Sequence, residues 1–423
     1  MVTIHRLHNG VTVVLEEIPY VRSIAFGIWV KNGSVHEPKE LGGISHFMEH
    51  MMFKGTQRRS AREIAEEMDS VGGQINAYTT KEYTVYHTRT LDTHFETALD
   101  VLSDMFLHSK FDDKDIKRER NVIMEEINLY EDSAEDLVHE ELQSLVWPES
   151  SLGRPILGTV DTISTFDTHT LRKYRSGHYR PDNTVLSVAG NFSSDEMLVR
   201  LEKAFGAWQS QESEEKSPAP AHYTPSFVSV QKETEQVHLL LAFPSIPRDH
   251  PKKHCYTIFN TIFGGGMSSV LFQKIREEHG LTYSVYSYLA QYSQNGLFAI
   301  YAGMAPGQTK TVIDLIFQEI QRQKERGISA KLLKKTKEQL ISNFIIGNES
   351  TMNRMTSNGG AVLLRGSVQS PEETIAEVEK ITPEDMEQVV HTLFDCTQVS
   401  ACAVGKTKGI CLEDLVKNNK YMD

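Results

Sequence analysis

A chain of 423 residues, 39% hydrophobic and 24% charged, has an ordinary globular composition and is too long for one compact core, so two domains of about 200 residues are expected. Its formal net charge of −13 leaves no basic excess to neutralise phosphates, which argues against a nucleic-acid partner but leaves basic peptides open as substrates. No apolar run reaches the roughly 20 residues of a membrane helix, no signal core or Arg-rich leader follows Met1, and Cys255, Cys396, Cys402 and Cys411 lack metal-type spacing; a cytoplasmic protein with reduced, mostly buried thiols is expected.

Residues 3 to 31 alternate as strands do, with Asn9-Gly10 turning a hairpin and a second run, RSIAFGIWV, ending at Asn32-Gly33. A helix at about 43 to 53 follows. Ile44, Phe47, Met48, Met51 and Met52 make it nearly apolar all round, apart from His46, Glu49 and His50. A polar trio on a buried helix needs a reason. Two histidines four apart project from one face, and a glutamate three after the first shares that face. Neutral imidazoles suit zinc, and a carboxylate that is not a ligand can take a proton from metal-bound water. His-x-x-Glu-His is the inverted form of the zinc protease helix motif.

Ser60 then caps a helix, with Glu63 completing a capping box and Gly72-Gly73 ending it. QINAYTT and YTVYHTRT read as paired strands. One helix is predicted near 92 to 107, and another from Asp112 or Asp113 through about Leu145. A catalytic zinc needs a third protein ligand, and this second helix is where to find it. Glu119 and Glu126 lie two turns apart on one face, bordering a core stripe of Ile116, Ile123, Ile127 and Tyr130. That geometry prefers Glu126 as ligand but leaves Glu125 as an alternative, with Glu119 as an acceptor that orients a ligand histidine or lies near the base.

A strand at NTVLSVAG and a helix at SSDEMLVRLEKAF close this half. Residues 209–225, rich in Ser, Glu, Pro and Ala without apolar period, read as a linker between a metal-bearing domain at 1–208 and a second domain at 226–423. The second half repeats the order of the first: a strand (QVHLLLAFP), a helix (KHCYTIFNTIF), a glycine turn, a helix (SSVLFQKIREEHG), two strands, two helices and a final strand (QVSACAVG). The expected fold class is therefore α+β: two tandem, similar α/β sandwich domains, each an antiparallel or mixed sheet with helices packed on it, related by internal duplication. CYTIFNTIF carries no ligand set, so one half alone is expected to hold metal.

HFMEHMMFKGT, GGQINAYTTKEYTVY, ERNVIMEE and GGGMSSVLFQKIREEHGLTYSV together resemble the inverted-zincin metallopeptidases of the pitrilysin and insulin-degrading type. Within them the chain is similar to the short, two-domain bacterial relatives of the mitochondrial processing peptidase. The resemblance implies that His46, His50 and Glu126 bind one zinc ion per chain, that Glu49 is the general base, and that Glu119 is its acidic neighbour. It implies that Arg276 and Tyr283 contact substrate or the transition state, and that the strand with Asn76 and Ala77 is an edge to which an extended peptide adds. It further implies an endopeptidase of unfolded peptides working as a homodimer, with Arg276 and Tyr283 of one chain facing the zinc of the other. Gly264-Gly265-Gly266 stands where related partners carry a longer glycine-rich loop. A non-catalytic structural or peptide-binding subunit of the same fold is the alternative.

Overall fold

The computed structural model describes residues 2–209 and 218–421, so the middle of the expected linker, residues 210–217, lies outside the described residues. In chain order the first half contains β1 (Val2–Arg6), β2 (Thr12–Glu17), β3 (Ser23–Val30), α1 (Ile44–Met52), α2 (Ala61–Ser70), β4 (Gln74–Thr79), β5 (Thr84–Leu91), α3 (Phe95–His108), α4 (Asp113–Asp132), α5 (Ala134–Val146), α6 (Val160–Ser164), α7 (Thr168–His178), β6 (Thr184–Gly190) and α8 (Ser194–Phe205). The second half contains β7 (Phe227–Gln231), β8 (Val237–Ser245), α9 (Lys253–Phe263), β9 (Thr282–Gln291), β10 (Gly296–Met304), α10 (Thr309–Arg326), α11 (Ala330–Gly347), α12 (Thr351–Arg365), α13 (Pro371–Lys380), α14 (Pro383–Leu393), β11 (Ser400–Gly405) and α15 (Leu412–Lys417).

The strands form two sheets, ordered β1-β2-β6-β3-β5-β4 and β7-β11-β8-β10-β9. Without β1, the first order maps strand for strand onto the second. The pairing senses agree as well: β2/β6 and β7/β11 are parallel, and every other neighbouring pair is antiparallel. Five described α-helices separate β5 from β6, and five separate β10 from β11. The duplication read from the sequence is thus repeated in topology, as an α+β fold with helices packed on mixed sheets.

By contacts the chain divides into one unit of Met1–Ile127, Arg154–Pro218 and Ile345–Gln369, and another of Asn128–Gly153, Ala219–Phe344 and Ser370–Asp423. This is not the single cut at 209–225. The reason is a reciprocal exchange: α12, from the second half, packs on β3 and β6, whereas α5, from the first, packs on β8 and β11. Close approach is built into α12, because a Cβ at Gly359 would stand 2.3 Å from Nε1 of the buried Trp29. Arg354 and Asn358 of the same helix both bond the buried Glu16 of β2, Asn358 at 2.8 Å.

Five local expectations are corrected. The helix from Asp113 to about Leu145 is broken, because Ser133 leaves helical geometry to cap α5 by accepting the Asp136 amide hydrogen. Tyr130, assigned to the core stripe, is 39% exposed, while Ile116, Ile123 and Ile127 are buried as expected. In the second half the segment after the glycine turn is a wide π-helical stretch over Phe272–Glu278, and five helices rather than two precede the last strand. Of the cysteines, Cys255 and Cys402 are buried, but Cys411 is exposed; all four are free thiols.

Candidate metal centre

Helix α1 starts at a position that only glycine tolerates. Gly43 has φ 90°, and a Cβ there would lie 2.4 Å from the carbonyl oxygen of Leu157. The first amides of the helix need acceptors, and the buried Glu37 carboxylate supplies them, taking hydrogen bonds from Gly43 N–H and Ser45 N–H at 2.8 Å each. Burial dominates its electrostatics and pushes the Glu37 carboxyl up to about 7. Arg154 donates to the Glu37 carbonyl at 2.6 Å, and Ser45, next to His46, is held by Tyr174 at 3.0 Å and by Asn32 at 3.2 Å. The entry to α1 is therefore fixed by polar groups from several segments before any metal ligand is reached.

From this helix His46 and His50 point to the same spot, and Glu126 of α4 approaches it. Nε2 of His46 and Nε2 of His50 each lie 3.8 Å from Oε2 of Glu126, and the three ligand atoms are within 4.8 Å of one another. Glu125 is exposed and Glu126 half-buried, so the geometry separates the two alternatives that spacing had left. Burial, with His50 beside it, depresses His46 to about 3, so its imidazole is neutral at ordinary pH. Nε2 of each histidine and the Glu126 carboxylate oxygen then face each other beyond hydrogen-bond distance, an arrangement that a cation between them would bridge. Ligands about 2.1 Å from a tetrahedral zinc stand roughly 3.4 Å apart, close to the 3.8 Å that separates each histidine nitrogen from Glu126 here. The donor set fits zinc.

The neighbours of the ligands are arranged to suit that role. Oε1 of the buried Glu119 lies 3.5 Å from His50 Nδ1, leaving Nε2 of that ring for the metal, and Lys54 binds the other Glu119 oxygen. Burial works to raise the Glu119 carboxyl, but the bonds to His50 and Lys54 outweigh it and hold the group below its ordinary range. Glu49 is half-buried one residue before His50. Burial pushes its carboxyl up, and a 2.5 Å hydrogen bond from Thr79 Oγ1 works against that.

Asn76 and Ala77 fall on β4, one of the two edge strands of the first sheet, with the Ala77 amide donating to Asn76 Oδ1 at 2.8 Å. Arg276 and Tyr283 come together in the second unit: the guanidinium stands 4.7 Å from the Tyr283 ring centroid and 4.7 Å from that of Phe272. With Gly264, Gly265 and Gly266 they line an open cavity of about 470 Å³, and Tyr283 is 74% exposed. Lys54, Thr79 and Glu37 were not singled out in the sequence. Lys54 left no signal because its partner Glu119 is on α4, and Glu37 left none because its partners lie across a turn.

Residues 12–160 match the family model described as insulinase (peptidase family M16), and residues 165–340 match that of the peptidase M16 inactive domain. The chain is 43% identical over 394 residues to a Bacillus subtilis protein named uncharacterized zinc protease YmxG, covering 93% of this chain and 96% of that one. A Streptomyces coelicolor protein, also named an uncharacterized zinc protease, is 36% identical over 395 residues, 92% of this chain and 86% of its own. Among solved structures, a protease from Helicobacter pylori shares the fold with a TM-score of 0.88 at 20% identity, covering 96% of this chain and 99% of that one. No described helix is long and apolar enough to cross a membrane.

Proposed function

The chain belongs to the insulinase family, peptidase family M16, and on that premise we propose that it is a zinc-dependent endopeptidase cleaving unfolded peptides and oligopeptides inside the chamber of a homodimer. His46, His50 and Glu126 are the residues that would hold one zinc ion per chain. When bound, zinc supplies a Lewis acid that polarises the scissile carbonyl and acidifies the attacking water. Glu49 takes a proton from that water and returns one to the leaving amine, roles helped by a carboxyl that burial raises above its ordinary range. Glu119, backed by Lys54, keeps the His50 ring in its ligating orientation.

Substrate binds as an added strand. Asn76 and Ala77 lie on the edge of a sheet, where backbone hydrogen bonding tolerates many side chains and favours chains that can extend. Arg276 and Tyr283 of the partner subunit complete the site by stabilising the oxyanion, a role that suits a paired cation and phenol lining an open cavity.

The observation that carries this reading is the convergence of His46, His50 and Glu126, with a further carboxylate, Glu49, on the helix that carries the two histidines. Metal analysis of the purified protein, combined with digestion of a mixed peptide library, tests it. One zinc per chain and chelator-sensitive cleavage at internal bonds are expected. Zinc-loaded protein that binds peptides without cleaving them would instead support the alternative of a peptide-binding subunit.

A further inference from the structure

Thr79, the last residue of β4, stands between the peptide-binding edge and the base. Its hydroxyl lies 2.5 Å from Oε2 of Glu49, within the range of a charge-assisted O–H···O⁻ bond. The direction of that bond follows from counting protons. Thr84 Oγ1 stands 3.4 Å from Thr79 Oγ1, but its own hydrogen goes to the Asn32 carbonyl at 2.8 Å. Thr79 therefore receives nothing from Thr84, and its single proton is free for Glu49. The other Glu49 oxygen, Oε1, makes no recorded hydrogen bond among the described residues. One oxygen is held and the other is left to do chemistry.

The backbone of the same residue faces the other way. The Thr80 amide donates across the hairpin to the Tyr83 carbonyl at 2.8 Å, so along β4 the even-numbered residues turn their backbone groups to β5. Residues of odd number, Ala77 and Thr79, then present theirs to the free edge. The Ala77 amide agrees with this phase, because its partner is the Asn76 side chain rather than β5. A peptide added as a strand would hydrogen-bond outward to Ala77 and Thr79.

We propose that Thr79 is a positioning residue that couples the two events: its outward backbone helps hold the added peptide, while its inward hydroxyl holds Oε2 of Glu49 and leaves Oε1 free. This rests on the reading of Glu49 as base and of β4 as the peptide edge. Strand addition stiffens the end of an edge strand, and here that end carries the group that holds the base. Substrate that reaches β4 thereby sharpens the position of the carboxylate that acts on it.

The test compares the wild-type protein with Thr79→Val and Thr79→Ser on an internally quenched extended peptide. Zinc retention is measured alongside, and peptide affinity is taken from fluorescence anisotropy on the zinc-free proteins, where no turnover occurs. Valine keeps the shape and the outward backbone but removes the donor. It should leave zinc content and peptide affinity within about twofold and lower kcat by about 10- to 100-fold at little-changed KM, in line with the effect of a misplaced catalytic group. Serine, which keeps the donor, should restore kcat to within a few-fold of wild type. Unchanged kcat in Thr79→Val, or a serine variant as impaired as the valine one, would overturn the inference while leaving the peptidase reading intact. A wild-type protein that holds zinc and binds the peptide but does not cleave it would overturn the peptidase reading, and with it the base that Thr79 is held to position.

Discussion

Nδ1 of His50 faces Oε1 of Glu119 at 3.5 Å, while the second oxygen of that carboxylate is taken by Lys54. The chain His50, Glu119, Lys54 engages Nδ1 of the ring and leaves Nε2 as the nitrogen that would meet a bound metal. A carboxylate acting through a ligand in this way contributes about 10- to 100-fold to metal affinity. Glu119→Gln should weaken zinc binding within that range, and Lys54→Met should do so by less, as the carboxylate itself remains. Competition with a chromophoric chelator measures both.

Glu126 and Glu125 are adjacent, yet only Glu126 approaches the two histidines. Glu126→Gln should lose zinc by more than the roughly hundredfold upper bound for a supporting residue. Glu125→Gln, altering an exposed carboxylate, should retain it. Equal loss in both would place the third ligand elsewhere.

Glu37 gives a pH signature to folding. Its folded pKa of about 7 stands above the ordinary 4.5, so folding takes up a proton between those values. The stability this contributes is fully present below the unfolded pKa and is lost as pH rises through about 7. Relative to Glu37→Gln, the wild-type protein should therefore lose stability over that window, by on the order of 3 kcal/mol. Denaturant midpoints of both proteins with chelator present, collected across the window, check the slope; parallel curves would contradict it.

The exchanged helix makes a separate prediction. Gly359→Ala places a methyl group where only Trp29 fits, and overpacking of this kind costs about 1–3 kcal/mol. Chemical denaturation should show that loss. A composite dimer site predicts something that no single variant shows. Glu49→Gln and Arg276→Ala proteins, each inactive alone, should regain activity when unfolded and refolded together, because half the sites of a mixed dimer combine an intact Glu49 with an intact Arg276. Absence of recovery despite mixed dimers would rule out sharing across chains.

What the sequence made legible was local or periodic. His46, Glu49 and His50 share one helix face, and Glu119 and Glu126 share another, so spacing nominates them while leaving Glu125 open beside Glu126. The strands around Asn9-Gly10 and the capping box at Ser60 and Glu63 are short-range signals, and both are present in the fold. The break at Ser133 was hidden because polar helix formers continue on both sides of it. The exchange of α5 and α12 was hidden for a different reason: an amphipathic stripe reports that a face is buried, not which sheet covers it. Thr79 and Glu37 act through hydrogen bonds between elements that are separate in the chain, and no periodicity records such partners.

The central claim is that Glu49 is the base beside a metal held by His46, His50 and Glu126. Glu49→Gln tests it most directly, since the amide keeps the size of the side chain and removes its capacity to take a proton. Zinc content measured beside the cleavage rate of an extended peptide should show about one zinc per chain with kcat lowered by about 10²- to 10⁴-fold, the usual contribution of a general base. A variant that keeps its zinc and cleaves at the wild-type rate would contradict the account.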